Sequence, residues 1–386
     1  MKFKKIFFLV FWWSGLITLL SGCKQQKPEI FDWNLPPGFP QPSVPLENPM
    51  TQEKVMLGRY LFYDIRLSAN QTQSCSSCHH QGRAFTEILP TSVGSTGDQL
   101  VRNSMSLTNV AYNASFTWAH NNLTTLEQQI LIPLFNESPI EMGLTKPDDG
   151  ILMRFEKDAK YQRLFRDAFS ERDPINFRNI VDALASFVRS MVSFNSPFDR
   201  YAYFREDGAM TASALRGLEL FMSERLECRH CHGGFNFTQA VGHSQSPDES
   251  KPFHNTGLYN PAELNGREFD FGLYNITGDE ADIGLFKAPT LRNIEYTAPY
   301  MHDGSIETLE QVIDFYADGG RNVESGPFAG DGRLHPNKDR FIKGFVLTES
   351  EKEDLLAFLL SLSDEDFIHN EQFSNPFYAE SAVAAE

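Results

Sequence analysis

Cysteine is scarce in this chain of 386 residues, and basic charge is short as well. Only five cysteines occur: Cys23, Cys75, Cys78, Cys228 and Cys231. With Cys23 set aside, the other four form two C-x-x-C pairs, and none is left over for a structural disulfide. Lys and Arg number 34 against 51 Asp and Glu, a net charge of −17. So acidic a surface speaks against nucleic acid and favours neutral or basic partners. No stretch after the first twenty residues is apolar for long enough to span a bilayer. Tryptophan is rare, with four in all, whereas the 33 Phe residues supply volume for two cores of ordinary domain size.

The amino terminus reads MKFKKIFFLVFWWSGLITLLSGCK. Lys2, Lys4 and Lys5 precede an apolar run from Ile6 to Leu20, and small residues follow. That order describes a secretory signal over residues 1–22 rather than a core helix. Leu20-Ser21-Gly22-Cys23 resembles the lipobox of bacterial lipoproteins, which implies that Cys23 becomes the lipidated first residue. An ordinary signal peptide with an incidental cysteine is the alternative. On the sorting pattern, Lys24 favours the outer membrane, so the expectation is a periplasm-facing, lipid-anchored protein. Exported chains normally use spare cysteines as staples; here the cysteines are reserved for other chemistry.

Residues 23–50 are rich in Pro and polar residues and read as a lipidated, flexible tether. Apolar spacing predicts helices from about Thr51 to Phe62, from about Thr124 to Leu134, and over residues 178–194. Thr211 looks like the cap of a helix ending near Leu226. Thr348 and Glu351 form a capping box ahead of another helix. Residues 233–285 carry little periodicity and read as a long functional loop region. The order helix, C-x-x-C-H, loop, helices occurs twice. The expected fold class is therefore mainly α, with two cytochrome c-like domains at 51–200 and 201–370 and a tail at 371–386.

Each cysteine pair is followed at once by histidine, in Cys75-Ser-Ser-Cys78-His79 and Cys228-Arg-His-Cys231-His232. In c-type haem attachment two thiols form thioethers to the porphyrin and the adjacent histidine reaches the iron. A zinc ribbon needs two pairs about 15–20 residues apart, and these are far more distant. A thioredoxin-like site needs a β-α-β setting that is absent. Two covalently bound c-type haems are the expected cofactors, with His79 and His232 on the irons.

The stretches LGRYLFYDIRLSANQTQSCSSCHHQGRAFT, RNSMSLTNVAYN, FNESPIEMG and KAPTLRNIEYTAPYMHDGSIETLEQVIDFY together resemble the bacterial di-haem cytochrome c peroxidase superfamily. The resemblance runs from about Gly58 to the last helix. That superfamily contains true peroxidases and MauG-like enzymes, which use peroxide to modify side chains on partner proteins. It implies hydrogen peroxide as substrate and an exported protein as partner or electron donor.

The same resemblance assigns roles. The distal histidine that peroxidases carry after the first motif falls on Ser95, in residues 91–98. No histidine lies between His80 and His120, so an open or water-bound position is expected there, with His120 the alternative ligand. Where peroxidases place a methionine on the second iron, this chain has Tyr316, the MauG-like choice; Met301 and Met222 are the alternatives. Thioether sulfur stabilises reduced iron, and phenolate oxygen stabilises oxidised iron. Glu141 matches the distal carboxylate and Gln129 the distal amide, with Gln128 the competing register. Trp118 matches the tryptophan between the haems. Asn103, Thr297 and Pro299 match the ligands of a calcium ion, hard oxygen donors suited to it. His302 is expected at a haem edge. The implied function is peroxide reaction at an open-faced haem, yielding a high-valent di-haem state that oxidises a partner's side chain. A conventional peroxidase fed by a small cytochrome or cupredoxin is the first alternative. A non-catalytic electron-transfer cytochrome is the second.

Overall fold

A computed structural model describes residues 31–147, 150–244, 253–260 and 269–378. Cys23 lies outside the described residues, and so do the signal peptide and lipidation readings attached to it. Twelve α-helices and several short 3₁₀ turns make up the described residues, with only two antiparallel ladders of two residues per strand. These pair Phe253–His254 with Phe286–Lys287, and Asn322–Val323 with Gly330–Asp331. The class is mainly α.

Each half is organised by one close helix crossing. In the first, Gln52–Phe62 packs on Phe177–Arg189. A Cβ on Gly58 would fall 2.0 Å from the Ala183 carbonyl oxygen, so glycine is what lets the two backbones approach. In the second, Ala212–Phe221 packs on Glu349–Leu360, and a Cβ on Gly217 would fall 1.9 Å from the Asp354 carbonyl oxygen. The leading helix of each pair is capped by threonine: Thr51 accepts from the Lys54 N–H and Thr211 from the Ala214 N–H. Each then runs toward a C-x-x-C-H. The Thr348–Glu351 capping box is present as the sequence suggests.

Three apolar clusters follow from this. One is built on Leu57, Phe62, Phe85 and Phe187, another on Phe198, Phe221, Phe237 and Phe358, and a third lies between them around Tyr112 and Phe194. Two boundaries differ from the sequence reading. Residues 31–50 are not a free tether. Phe39 sits 4.3 Å from the Phe194 ring and 4.5 Å from Tyr203. Asn48 is buried, its side-chain amide donating to Glu127 Oε1 and to the Asp182 carbonyl. The prolines disguise a segment anchored by two aromatics, Trp33 and Phe39.

The second difference is at the carboxyl end. Glu365–His369 and Phe373 belong to the first core, not to the second domain or a loose tail. Tyr63 donates to the Phe373 carbonyl, Arg59 to the Ser374 carbonyl, and Gln81 to the Asn370 carbonyl. Chain ends that meet a distant core by aromatic burial carry no local signal of it.

Candidate active site

Cys75–Ser77 forms one 3₁₀ turn that presents Cys75, Cys78 and His79 together. Ala84 and Phe85 both take left-handed backbone conformations, with φ of 49° and 61°. That reversal brings the Phe85 carbonyl to 2.7 Å from His79 Nδ1. A carbonyl can only accept, so Nδ1 carries the proton and Nε2 keeps the lone pair an iron requires. The second motif repeats the device: His232 Nδ1 donates to the Phe237 carbonyl at 3.2 Å, and Phe237 has φ of 49°. Burial lowers both imidazoles, His232 to about 4, which keeps them neutral and able to ligate. All four thiols are free and pushed up to about 12, chiefly by burial.

Near the first motif, two of the expected site residues, Ser95 and Glu141, lie together. The loop containing Ser95 lies on the segment containing Glu141: the Ser95 N–H donates to the Glu141 carbonyl at 2.7 Å. A Cβ on Gly94 would fall 1.8 Å from the Ile140 carbonyl oxygen, so this contact is closed by glycine. The Glu141 carboxyl is raised to about 7, first by burial and then by Glu87. Ser95 Oγ and Gln129 Oε1 are both buried with no hydrogen-bond partner. Gln128 differs. Its Oε1 accepts from the Thr124 and Thr125 N–H groups in the capping box of Leu126–Phe135. Of the two registers, only Gln129 carries an unsatisfied buried amide oxygen. His120 is engaged locally, its Nδ1 accepting from the Asn122 N–H.

The second motif opens on a large, mostly apolar cavity lined by Cys228, Cys231, His232, Tyr316, Met301 and His302. Tyr316 comes from the helix Leu309–Ala317; burial raises its hydroxyl, with Cys231 and Cys228 adding to the shift. Met222 is 39% exposed at the end of its helix and does not line the cavity, whereas Met301 does. His302 stacks on Phe286 with ring centroids 3.7 Å apart.

Trp118 also reaches this cavity and is strapped to both halves. Its indole N–H donates to the Asn103 carbonyl at 2.8 Å, and its own carbonyl accepts from the Lys287 N–H at 2.7 Å. The Asn103 N–H donates to the His302 carbonyl. The Asn103 amide donates to the Leu89 and Pro90 carbonyls, leaving Oδ1 as the acceptor. Thr297 and Pro299 line the same cavity as Asn103. Three buried or partly buried polar groups escaped the sequence reading. Glu87 accepts from the Ser92 and Ser104 hydroxyls. His254 Nδ1 donates to the Asp339 carboxylate across 2.6 Å, with its Nε2 buried and unpartnered. Lys287 lies in the second cavity. A lone Glu, His or Lys in sequence looks like a surface residue, so none gave a signal.

A family model described as di-haem cytochrome c peroxidase matches residues 52–207. The methylamine utilization protein MauG of Methylorubrum extorquens is 34% identical over 354 residues, covering 91% of this chain and 90% of the relative. The chain belongs to the di-haem cytochrome c peroxidase and MauG family. The cytochrome c peroxidase Ccp of Escherichia coli is 30% identical over 361 residues, covering 91% of this chain and 69% of that protein. Among solved structures, a MauG-like protein associated with microbial copper homeostasis superposes with a TM-score of 0.86 at 46% identity, covering 90% of this chain and 99% of its own. The di-haem peroxidase BthA of Burkholderia thailandensis, at 22% identity and a TM-score of 0.66, shares the fold. Family membership makes the chain a haem-dependent peroxidase-type enzyme with two c-type haems and hydrogen peroxide as substrate. The residues fit such groups: four free thiols, two imidazoles held by Nδ1, an apolar cavity, and the buried, unpartnered Ser95 Oγ and Gln129 Oε1.

Proposed function

We propose that this enzyme is MauG-like: it consumes hydrogen peroxide at the His79 site and spends the oxidising power on a side chain of a partner protein. The observation that carries the reading is Tyr316 in the second cavity, where a conventional peroxidase would offer a thioether. The first site points the same way, because Ser95, a poor iron ligand, stands where a distal histidine would close it. The relation to MauG and to a MauG-like protein supports this branch.

Cys75, Cys78 and His79 would hold one haem and Cys228, Cys231, His232 and Tyr316 the other, and the pair would supply peroxide reduction and storage of oxidising equivalents. The protein's own groups do the rest. Glu141, its carboxyl raised to about 7 by burial, can take a proton from one peroxide oxygen and return it to the other. Gln129 and Ser95 offer their unsatisfied polar atoms to orient that peroxide. Trp118, fixed by its indole hydrogen bond, bridges the two sites. Asn103 Oδ1 and the Thr297 and Pro299 carbonyls would hold calcium, with waters completing the shell. His302 braces the second cavity by its stack on Phe286. Upstream, Cys23 serves as a lipid anchor facing the periplasm, testable by mass spectrometry of the mature amino terminus.

Electron paramagnetic resonance of the diferric holoprotein, before and after one equivalent of peroxide, tests the reading. One high-spin and one low-spin signal, both lost on adding peroxide without prior reduction, are expected. Two low-spin signals that ignore peroxide until one haem is reduced would return the chain to the conventional peroxidases. Met301, which lines the second cavity, is the residue that favours that second reading.

A further inference from the structure

Beside each cradle a charged side chain is buried, an acid at the first and a base at the second. Glu87 is 4% exposed. Its Oε1 accepts from the Ser104 hydroxyl at 2.8 Å and from the Ser92 hydroxyl, and no Lys or Arg among the described residues pairs with it. Ser92, whose hydroxyl donates to Glu87, also hydrogen-bonds the Cys78 thiol, so the carboxylate sits one side chain away from the first motif. Lys287 is 2% exposed, lines the second cavity, and has no acid and no hydrogen-bond acceptor on its ammonium among the described residues. Burial lowers its ammonium to about 8. Nearby buried charges are paired instead: Arg292 with Asp199 at 2.8 Å, and Glu227 with Lys343 at 2.8 Å.

We propose that Glu87 and Lys287 set the order in which the two haem sites take up electrons, the anion disfavouring an electron at the first and the cation favouring one at the second. Each site gains one electron when ferric iron becomes ferrous, so a fixed charge nearby shifts that equilibrium directly. In a site screened from water such a charge acts strongly, and burial and local charge are recognised controls on haem potential. The inference rests on the di-haem reading. It does not depend on which partner is oxidised.

The test is a mediated redox titration of the holoprotein with both haems attached, following each site by its own optical and resonance signature. Glu87→Gln should favour the ferrous first site by about tenfold, which is about 59 mV for one electron. Lys287→Gln should disfavour the ferrous second site to a similar extent. Glu87→Asp and Lys287→Arg keep the charge and should stay close to the native values. No shift in the Gln variants, or equal shifts in the charge-keeping ones, overturns the proposal. If Lys287→Gln fails to retain haem, the Glu87 pair and Lys287→Arg still decide it. Two low-spin sites in the resonance experiment would remove the MauG-like reading, yet these shifts would still be measurable.

Discussion

Gly58 and Gly217 occupy matching places: each sits where a helix leading to C-x-x-C-H crosses a later helix, with a carbonyl about where its Cβ would stand. Asn109 and Asn293 also match, each at positive φ before a 3₁₀ turn. His79 and His232 lean on Phe85 and Phe237 in the same way. Beyond this shared frame the two sites diverge. The first is finished with a carboxyl near neutrality and unsatisfied hydroxyl and amide oxygens. The second is finished with an apolar cavity, a tyrosine and a buried lysine. The frame holds a group on its proximal side, and the chemistry is decided by what later loops and helices bring to the other side.

Replacing Tyr316 by methionine should erase most of the difference between the sites. Axial ligands move haem potentials within a span of about 0.8 V, so the second site should rise by on the order of 100 mV or more in a redox titration. Protein oxidation should fall while peroxide reduction with an added electron donor persists. An unchanged second potential would mean that Tyr316 is only a packed side chain. Glu141→Gln attacks the first site alone. Loss of an acid–base group costs about 10²–10⁴-fold, seen as slower peroxide reaction in stopped flow, with the second site's spectrum unaltered.

The Glu141 carboxyl is raised in the folded chain from its ordinary 4.5 to about 7. The folded state therefore holds this proton more tightly than the unfolded one. Its contribution to stability is complete below about 4.5 and is lost as pH rises through 7. Reactivity runs the other way, because the deprotonated form must accept the peroxide proton. The peroxide kcat/KM should climb through pH 7 and then level, and a profile flat across that range would remove Glu141 from the reaction.

Symmetry of the frame predicts symmetry of damage. Gly58→Ala and Gly217→Ala should each cost about 1–3 kcal/mol by overpacking a helix crossing, read from denaturant melts of the holoprotein. A large cost at one and none at the other would break the duplication. The smallest effect separates neighbours: Gln128→Ala should lose a cap worth about 0.5–2 kcal/mol and leave peroxide reactivity alone. Gln129→Ala should slow peroxide reaction and leave stability nearly unchanged.

Much of this was readable in the chain because covalent attachment demands contiguous residues: Cys-x-x-Cys-His cannot be scattered. Capping boxes and helix periods are local too, so Thr348–Glu351 and the helix ending at Phe62 were legible. Glu141 and Gln129 stand out only through resemblance, since a Glu in a loop has no signature of its own. The packing of residues 31–50 and the return of Phe373 to the first core escaped, because both depend on aromatic contacts across long stretches of sequence.

The sequence by itself determined the two Cys-x-x-Cys-His motifs and the helical class, both consequences of short-range chemistry. Only the tertiary structure decided which glutamine turns an unsatisfied oxygen inward, and which loop closes on Glu141. It also decided that Glu87 and Lys287 are buried charges rather than surface ones. Burial and electrostatic field are properties of what surrounds a residue, and those surroundings come from parts of the chain far away in sequence.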